Sequence, residues 1–268
     1  MTIDPSSLLP QLEEMARGAG EILMKHHGHL DQSEIDFKGK RDLQSRADRE
    51  SEAFLLDEIA RRFPDHAVLA EESHGRGADD LLCGDRPLWV IDPLDGTTNF
   101  VAGLPLFCVS IGLQDADGPL AAAIHAPCLG ETYLAARGAG ATLGKRRLRV
   151  TETDQLIDAV LATGFAYRVE ELEDDNLDHF CRLVPRTRAI RRCGSAALDL
   201  AWVAAGRFDG FWELHLSPWD VAAGALLVRE AGGLVTDLAG GDDWIFGHSI
   251  VAAGPAMHAR LLDDLRGG

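Results

Sequence analysis

Trp89-Val90-Ile91-Asp92-Pro93-Leu94-Asp95-Gly96-Thr97-Thr98-Asn99-Phe100 is an apolar run that ends in two carboxylates three residues apart, followed by glycine and two hydroxyls. Leu88 to Ile91 has the length and composition of a buried strand. Pro93 stiffens the turn behind it so that Asp92 and Asp95 converge, and Gly96 permits close backbone approach where a helix is expected to begin, at Thr97 or Thr98. Free N–H groups at a helix start, beside a threonine hydroxyl, form a cradle for an anion such as phosphate. The two carboxylates alone would repel that anion at the low effective dielectric of a cleft. No Lys or Arg occurs between Pro87 and Arg137, so the missing positive charge falls to hard divalent cations, for which clustered carboxylate oxygens are the proper ligands. Magnesium is the expected ion, because it keeps several waters and leaves room for a nucleophilic water and for phosphate oxygens. A bare Asp-x-x-Asp-Gly is also the pattern of a capped turn before a helix. A calcium EF-hand loop is excluded, since Pro93 and Leu94 interrupt the alternate ligand positions it needs.

Outward from this stretch, apolar residues at Leu8, Leu12, Met15, Ala19, Ile22 and Leu23 predict an amphipathic helix from Ser6 to about His27. A second is predicted from Ser45 to Phe63, stopped by Pro64. Ala67 to Ala70 reads as another buried strand leading into Glu71-Glu72. Phe107 to Leu113, Leu120 to Ala126 and Glu131 to Ala136 predict an antiparallel meander. The second half alternates. Strands are expected at Val160 to Thr163, Ala189 to Arg192, Phe208 to Glu213 and Ser249 to Ala253, and helices at about Asp174 to Leu183, Ala196 to Ala205, Val221 to Ala231 and Pro255 to Leu265. The acidic run Glu170 to Asp175 reads as a solvated helix start. The class is layered α/β (α+β).

With 46% hydrophobic and 26% charged residues, the 268-residue chain is expected to form one body, residues 1–268, with an N-terminal lobe of about 1–150 and a C-terminal lobe of about 151–268 sharing the active site. Cys83, Cys108, Cys128, Cys181 and Cys193 are odd in number and include no C-x-x-C, so neither a disulfide framework nor a zinc site is expected, and a reducing, cytoplasmic compartment fits. No stretch approaches the about 18 consecutive apolar residues of a membrane helix. A net charge of −17 argues against nucleic acid or an anionic membrane as partner, and any phosphorylated substrate requires cations that reverse the local field.

Ile91 to Phe100 resembles the first signature of the inositol monophosphatases. Ala70-Glu71-Glu72-Ser73 is similar to that family's metal-ligand Glu pair. Trp219-Asp220-Val221-Ala222-Ala223-Gly224, with Glu230-Ala231-Gly232-Gly233, is similar to its second signature. Cys193-Gly194-Ser195-Ala196-Ala197-Leu198-Asp199-Leu200, leading to Phe211-Trp212-Glu213, looks like its substrate-binding stretch. The resemblance spans the chain from the first helix to near the C-terminus. It implies an αβαβα five-layer sandwich and a magnesium-dependent, lithium-sensitive phosphomonoesterase, cytoplasmic and homodimeric. That enzyme would act on a small polyol phosphate, foremost myo-inositol monophosphate, by in-line attack of a metal-activated water. The rivals are fructose bisphosphatase, 3′-phosphoadenosine phosphatase and histidinol phosphatase, and, from another class, a regulatory binding protein on the same fold.

Residue by residue, the resemblance implies that Glu71, Asp92 and the Leu94 carbonyl bind one magnesium, that Asp92, Asp95 and Asp220 bind a second, and that Glu71 takes part in a third, weaker site. Gly96 and Thr97 would bind phosphate, and Thr97 with Glu71 would orient the attacking water. Glu213 and the Gly194-Ser195-Ala196 loop, with Asp95 and Asp220, would hold substrate. The chain departs from the family before Asp48, where Ser45-Arg46-Ala47 stands in place of a Val-Thr pair, so Lys38 and Asp48 receive no role. Plainer readings stand beside these: Glu72 as a solvated neighbour, Asp220 as the N-cap of a helix near Val221, and Glu213 as a strand-end surface acid. Arg191-Arg192 reads first as a surface salt-bridge pair, ahead of contact with a substrate phosphate or a partner chain. His125 and His215 read as structural, and Trp89, Trp202, Trp212 and Trp219 as core or pocket wall.

Overall fold

The structure, a computed structural model, describes residues 4–74 and 86–267. Cys83 lies outside the described residues. The expected first helix forms as α1 (Leu9–His26), burying Leu12, Met15, Ala16, Ala19 and Leu23 at helical spacing. Its lead-in, Pro5–Leu8, is a tighter 3-10 turn started by the Asp4 carboxylate, which accepts from the Ser6 amide at 3.0 Å. α2 (Arg46–Arg62) opens with a capping box in which Ser45 and Asp48 satisfy each other's end of the first turn. Between the helices, β1 (Ile35–Phe37) and β2 (Leu43–Ser45) make a hairpin that the sequence does not announce, because three residues per strand carry too little alternation.

α1 and α2 cover one face of a seven-stranded sheet whose order follows the chain: β3 (Ala67–Ala70), β4 (Leu88–Asp95), β5 (Cys108–Asp115), β6 (Gly118–Ala126), β7 (Glu131–Ala136), β8 (Gly140–Leu143) and β9 (Arg146–Arg147). β3 and β4 run parallel, and the rest is the expected meander, lengthened by β8 and β9. β4 does not stop at Ile91. It continues to Asp95, and its pairing with β5 shifts between Asp92 and Asp95, where Pro93 has no N–H to give the ladder.

The second sheet has the order β11 (Ala189–Arg191), β10 (Val160–Thr163), β12 (Gly210–Leu214), β14 (Ser249–Ala253), β13 (Leu234–Thr236). α6 (Ala196–Ala204) and α7 (Pro218–Glu230) lie between the sheets. Both are apolar nearly all round because both faces are covered. One core joins Cys108, Ile124 and Tyr133 of the first sheet, through these helices, to Phe211 and Ile250 of the second. α8 (Pro255–Leu265) closes the far face over Trp212 and Val251, joined there by Leu183 of α5 (Leu177–Leu183). The layers therefore read α1/α2, sheet, α6/α7, sheet, α8, the αβαβα order expected. Among the described residues no helix is long and apolar enough to cross a membrane.

Three readings are corrected. The run Glu170 to Asp175 is not a helix start: α5 begins at Leu177, after Asn176 in the left-handed region at φ 69°. Asn176 is held there by donating to Thr163 Oγ1 (2.9 Å) and the Gly164 carbonyl (2.8 Å) and by accepting from Trp212 Nε1 (2.7 Å). Arg191 and Arg192 form no ion pair among the described residues: Arg191 donates to the Ile190 carbonyl at 3.2 Å, and Arg192 faces the central cavity. Glu72 is not solvated, since its side chain is only 4% exposed beneath Lys38.

Candidate metal and phosphate site

The irregular end of β4 and the first turn of α7 bring three acids together. Carboxylate oxygens of Asp92, Asp95 and Asp220 lie within 4.8 Å of one another. The helix carrying Asp220 begins at Pro218, earlier than expected, with Ser217 as its N-cap. Asp220 is the third residue of that turn, and it accepts from the Ser217 amide at 2.7 Å. Asp95 Oδ2 accepts from Ser195 Oγ (2.6 Å) and the Ala197 amide (2.8 Å), so the start of α6 is fastened to it and Oδ1 is left for a ligand. Asp92 Oδ1 accepts from the Leu94 amide at 2.9 Å.

Burial, then the charges of Glu71, Asp95 and Asp220, push the Asp92 carboxyl well above the usual carboxylate range. Burial and the neighbouring acids do the same to Asp220. Asp95 is raised by burial against the opposing pull of its Ser195 and α6 hydrogen bonds. Three acids this close, Asp92 and Asp95 buried and Asp220 half-buried, do not all ionise without a cation. Their ligand atoms are all hard oxygens, the set that suits magnesium. The residues present therefore fit the ion.

Glu71 opens α3 (Glu71–His74) directly after β3 and stands beside this trio. Its Oε1 accepts from Lys38 Nζ at 3.0 Å, and the same ammonium lies 2.6 Å from Glu72. Burial raises Glu71 to about 7, with Lys38 opposing. Burial draws Lys38 down, but Glu71 and Glu72 more than reverse it. The β1–β2 hairpin thus delivers a cation onto the Glu pair. Glu52 of α2 fixes that pair from behind by accepting the Glu72 amide at 2.8 Å.

Thr97 opens α4 (Thr97–Val101). Its Oγ1 lies 3.0 Å from Asp48 Oδ1 and 3.1 Å from the Leu94 carbonyl. Asp48 spends its other oxygen on the Ser45 amide (2.8 Å) and hydroxyl (2.5 Å). The structure thus gives Asp48 a partner in the site. The Ser45-x-x-Asp48 pattern marks a helix start in sequence but does not say what the acid faces. Gly96 has φ 93°, and a Cβ there would stand 2.9 Å from the Leu106 carbonyl and 3.2 Å from that of Gly194, so glycine alone fits. Asn99 Nδ2 ties the same loops by donating to Leu106 O (2.7 Å) and Cys193 O (2.8 Å).

A cavity of about 260 Å³ opens over these groups, lined by Glu71, Asp95, Asp220, Gly194, Ser195, Ala196 and Glu213, with Asp92, Leu94, Gly96 and Thr97 packed behind. Glu213 is 8% exposed, inside the wall rather than at the surface. Burial pushes it up to about 8, with Arg192 opposing. The lining also contains Lys38, Tyr167 and His215, which carry no binding role in the sequence, together with Arg192, and Asp199 of the stretch that resembles the family's substrate-binding segment. Asp199 alone had a visible cue, as the single acid in the apolar run of α6.

Burial also drives Asp199 up to about 8, against its Cys193 hydrogen bond and Arg192 and with the help of Asp95. A carboxyl raised on folding keeps its proton while the unfolded chain ionises near the usual value. Its contribution to stability is therefore full at low pH and declines until pH passes its folded value. Asp199→Asn is expected to gain melting temperature relative to wild type steadily from pH 5 to pH 8. A difference that stays constant over that window refutes the buried acid.

A family model described as the inositol monophosphatase family matches residues 4–267. Inositol-1-monophosphatase of Mesorhizobium japonicum is 40% identical over 261 residues, 97% of this chain and 97% of its own. Nus factor SuhB of Escherichia coli (strain K12) is 41% identical over 251 residues, 94% of this chain and 92% of its own. The solved structure of inositol monophosphatase from Anabaena (Nostoc) sp. PCC 7120 superposes with a TM-score of 0.85 at 42% identity, covering 97% of this chain and 96% of that one.

Proposed function

The chain belongs to the inositol monophosphatase family, and from that premise we propose that it is a magnesium-dependent phosphomonoesterase acting on a small polyol phosphate, with myo-inositol monophosphate the first candidate. The observation that carries this reading is the convergence of Asp92, Asp95 and Asp220 at a cavity whose wall also holds Glu213.

In this reading Glu71, Asp92 and the Leu94 carbonyl hold one magnesium, and Asp92, Asp95 and Asp220 hold another, with Glu71 contributing to a third. When bound, the ions activate water and stabilise the charge that develops on phosphate and leaving alcohol. Thr97, donating to Asp48 at 3.0 Å, keeps its oxygen available to accept from the attacking water. Glu71, which accepts from Lys38 at 3.0 Å, orients the attacking water together with Thr97. Gly96 and Thr97 receive the phosphate, and Glu213 with Gly194, Ser195 and Ala196 receives the alcohol half. A cytoplasmic homodimer completes the proposal. Light scattering checks the oligomeric state.

A screen of phosphate release over inositol phosphates, glycerol phosphates, nucleotides, fructose bisphosphate and histidinol phosphate, with and without magnesium, tests the reading. No magnesium-dependent release from any of them sinks it. A second reading comes from relatives of similar identity whose name is Nus factor SuhB. In it this chain is a transcription-associated partner, with or without turnover. The acid trio favours the enzyme, because a docking surface has no use for three mutually repelling carboxyls converging at a cavity.

Lithium is the expected inhibitor. It is close to magnesium in size, prefers oxygen ligands, carries one charge fewer, and would occupy the Asp92–Asp95–Asp220 position beside product phosphate. Millimolar lithium is therefore expected to lower kcat more than it raises KM, with sodium and potassium as controls at constant ionic strength. Equal inhibition by all three ions would rule out a lithium-selective position.

A further inference from the structure

The cavity wall holds one fully buried acid that the hydrolytic reading leaves idle. Asp199 sits in the first turn of α6, 1% exposed, on the lining together with Glu213 and Arg192. Its Oδ1 is buried with no hydrogen-bond partner, and a buried acceptor left unpaired is costly unless something else satisfies it. Its neighbours along the helix, Leu198 and Leu200, are apolar. Asp199 is close enough to raise the affinity of Glu213 for protons, and the Glu213 carboxyl packs over the bare Cα of Gly164, where a Cβ would collide with it.

We infer that Asp199 is a second specificity-determining residue of this site, forming with Glu213 a two-carboxyl wall that receives a pair of neighbouring hydroxyls on the alcohol half of the substrate. The inference rests on the phosphatase reading and names its substrate class.

The charges in the wall select hydroxyls over the alternatives. A second phosphate or a carboxylate on the substrate offers acceptors only, and so leaves the acceptor oxygens of Asp199 and Glu213 unpaired. An ammonium group would meet the Arg192 guanidinium and, at neutral pH, two carboxyls that burial holds in the protonated form, each pushed up to about 8. A hydroxyl both donates and accepts, as a protonated carboxyl does, and Arg192 adds donors. A vicinal polyol fits such a wall, whereas an aryl group offers it nothing.

The test measures kcat and KM with magnesium for wild type, Asp199→Asn and Glu213→Gln on myo-inositol 1-phosphate and on p-nitrophenyl phosphate, with melting curves for each protein. Asparagine keeps the shape of the side chain, so the variant is expected to fold. The ratio of kcat/KM for the inositol ester to that for the aryl ester is expected to fall roughly tenfold in Asp199→Asn, through KM, and by a similar factor in Glu213→Gln. In the double variant the losses should be less than multiplicative, because the two acids hold adjacent groups of one ring. Equal losses on both esters, or an unchanged ratio, overturn the role of Asp199 while leaving the phosphatase intact. Absence of turnover of either ester by the wild type removes the phosphatase reading, and this inference with it.

Discussion

Asp92→Asn is expected to lower magnesium-supported kcat by at least about 10⁴-fold in protein that remains folded. Of the site acids, Asp92 is the one on which the charges of Glu71, Asp95 and Asp220 all press, and it is 2% exposed at their centre. An amide keeps its volume and can keep the 2.9 Å contact to the Leu94 N–H, but it brings no charge to hold a divalent ion. The same substitution relieves buried repulsion. Without magnesium, the variant is expected to melt above the wild type at pH 8. Added magnesium should raise the melting temperature of the wild type and leave the variant unmoved. Melting curves with and without the ion, alongside kcat, read all of this. A folded variant that retains activity within tenfold of wild type would mean that the metal is held elsewhere.

Gly224→Ala is expected to destabilise the protein by about 2–3 kcal/mol and to lower its melting temperature by roughly 5–10 °C. A Cβ at Gly224 would stand 2.5 Å from Leu200 Cβ and 2.6 Å from its Cδ1. α6 and α7 are covered by a sheet on each side, so neither helix has room to withdraw. The effect reaches the cavity although Gly224 does not line it. α7 begins with the turn that carries Asp220, and α6 with Ser195 and Ala197, which hold Asp95. Magnesium affinity should therefore fall together with stability. Leu200→Ala in the same chain should restore part of both, since it empties the space the new methyl needs. A single variant that melts within 1 °C of wild type would show that the helices are less closely packed than 2.5 Å implies.

The layered fold was legible because its elements carry strong local signals. Leu12, Met15, Ala19 and Leu23 repeat at helical spacing, and Leu88 to Ile91 is too apolar and too short to be anything but a buried strand. The acids Asp92, Asp95 and Asp220 were legible as a group only because the motifs around them are long. In α7, capping and ligation ask for the same residue type at the same position, so composition alone did not separate the two. What stayed hidden depends on contacts distant in sequence. Glu72 looks solvated until a hairpin of two three-residue strands sets Lys38 upon it. The late start of α5 depends on Asn176 meeting Thr163 and Trp212, residues of two separate strands. Asp199 stands out in sequence only as a lone acid in an apolar run, and what it faces appears when β12 places Glu213 in the same wall.

Asp95 presents one oxygen toward the proposed ion and commits the other to Ser195 Oγ and the Ala197 amide, at 2.6 and 2.8 Å. The residues that would choose the alcohol and the residue that would grip the ion are therefore the two ends of one carboxylate. By thermodynamic reciprocity, whatever steadies the Gly194–Ala196 segment tightens the ion, and whatever tightens the ion steadies that segment. Redesigning this wall to accept a different alcohol will accordingly shift the concentration of magnesium the protein requires. A library of such variants screened at a single magnesium concentration will discard binders of the new alcohol along with the failures. Selection along a magnesium gradient would recover them.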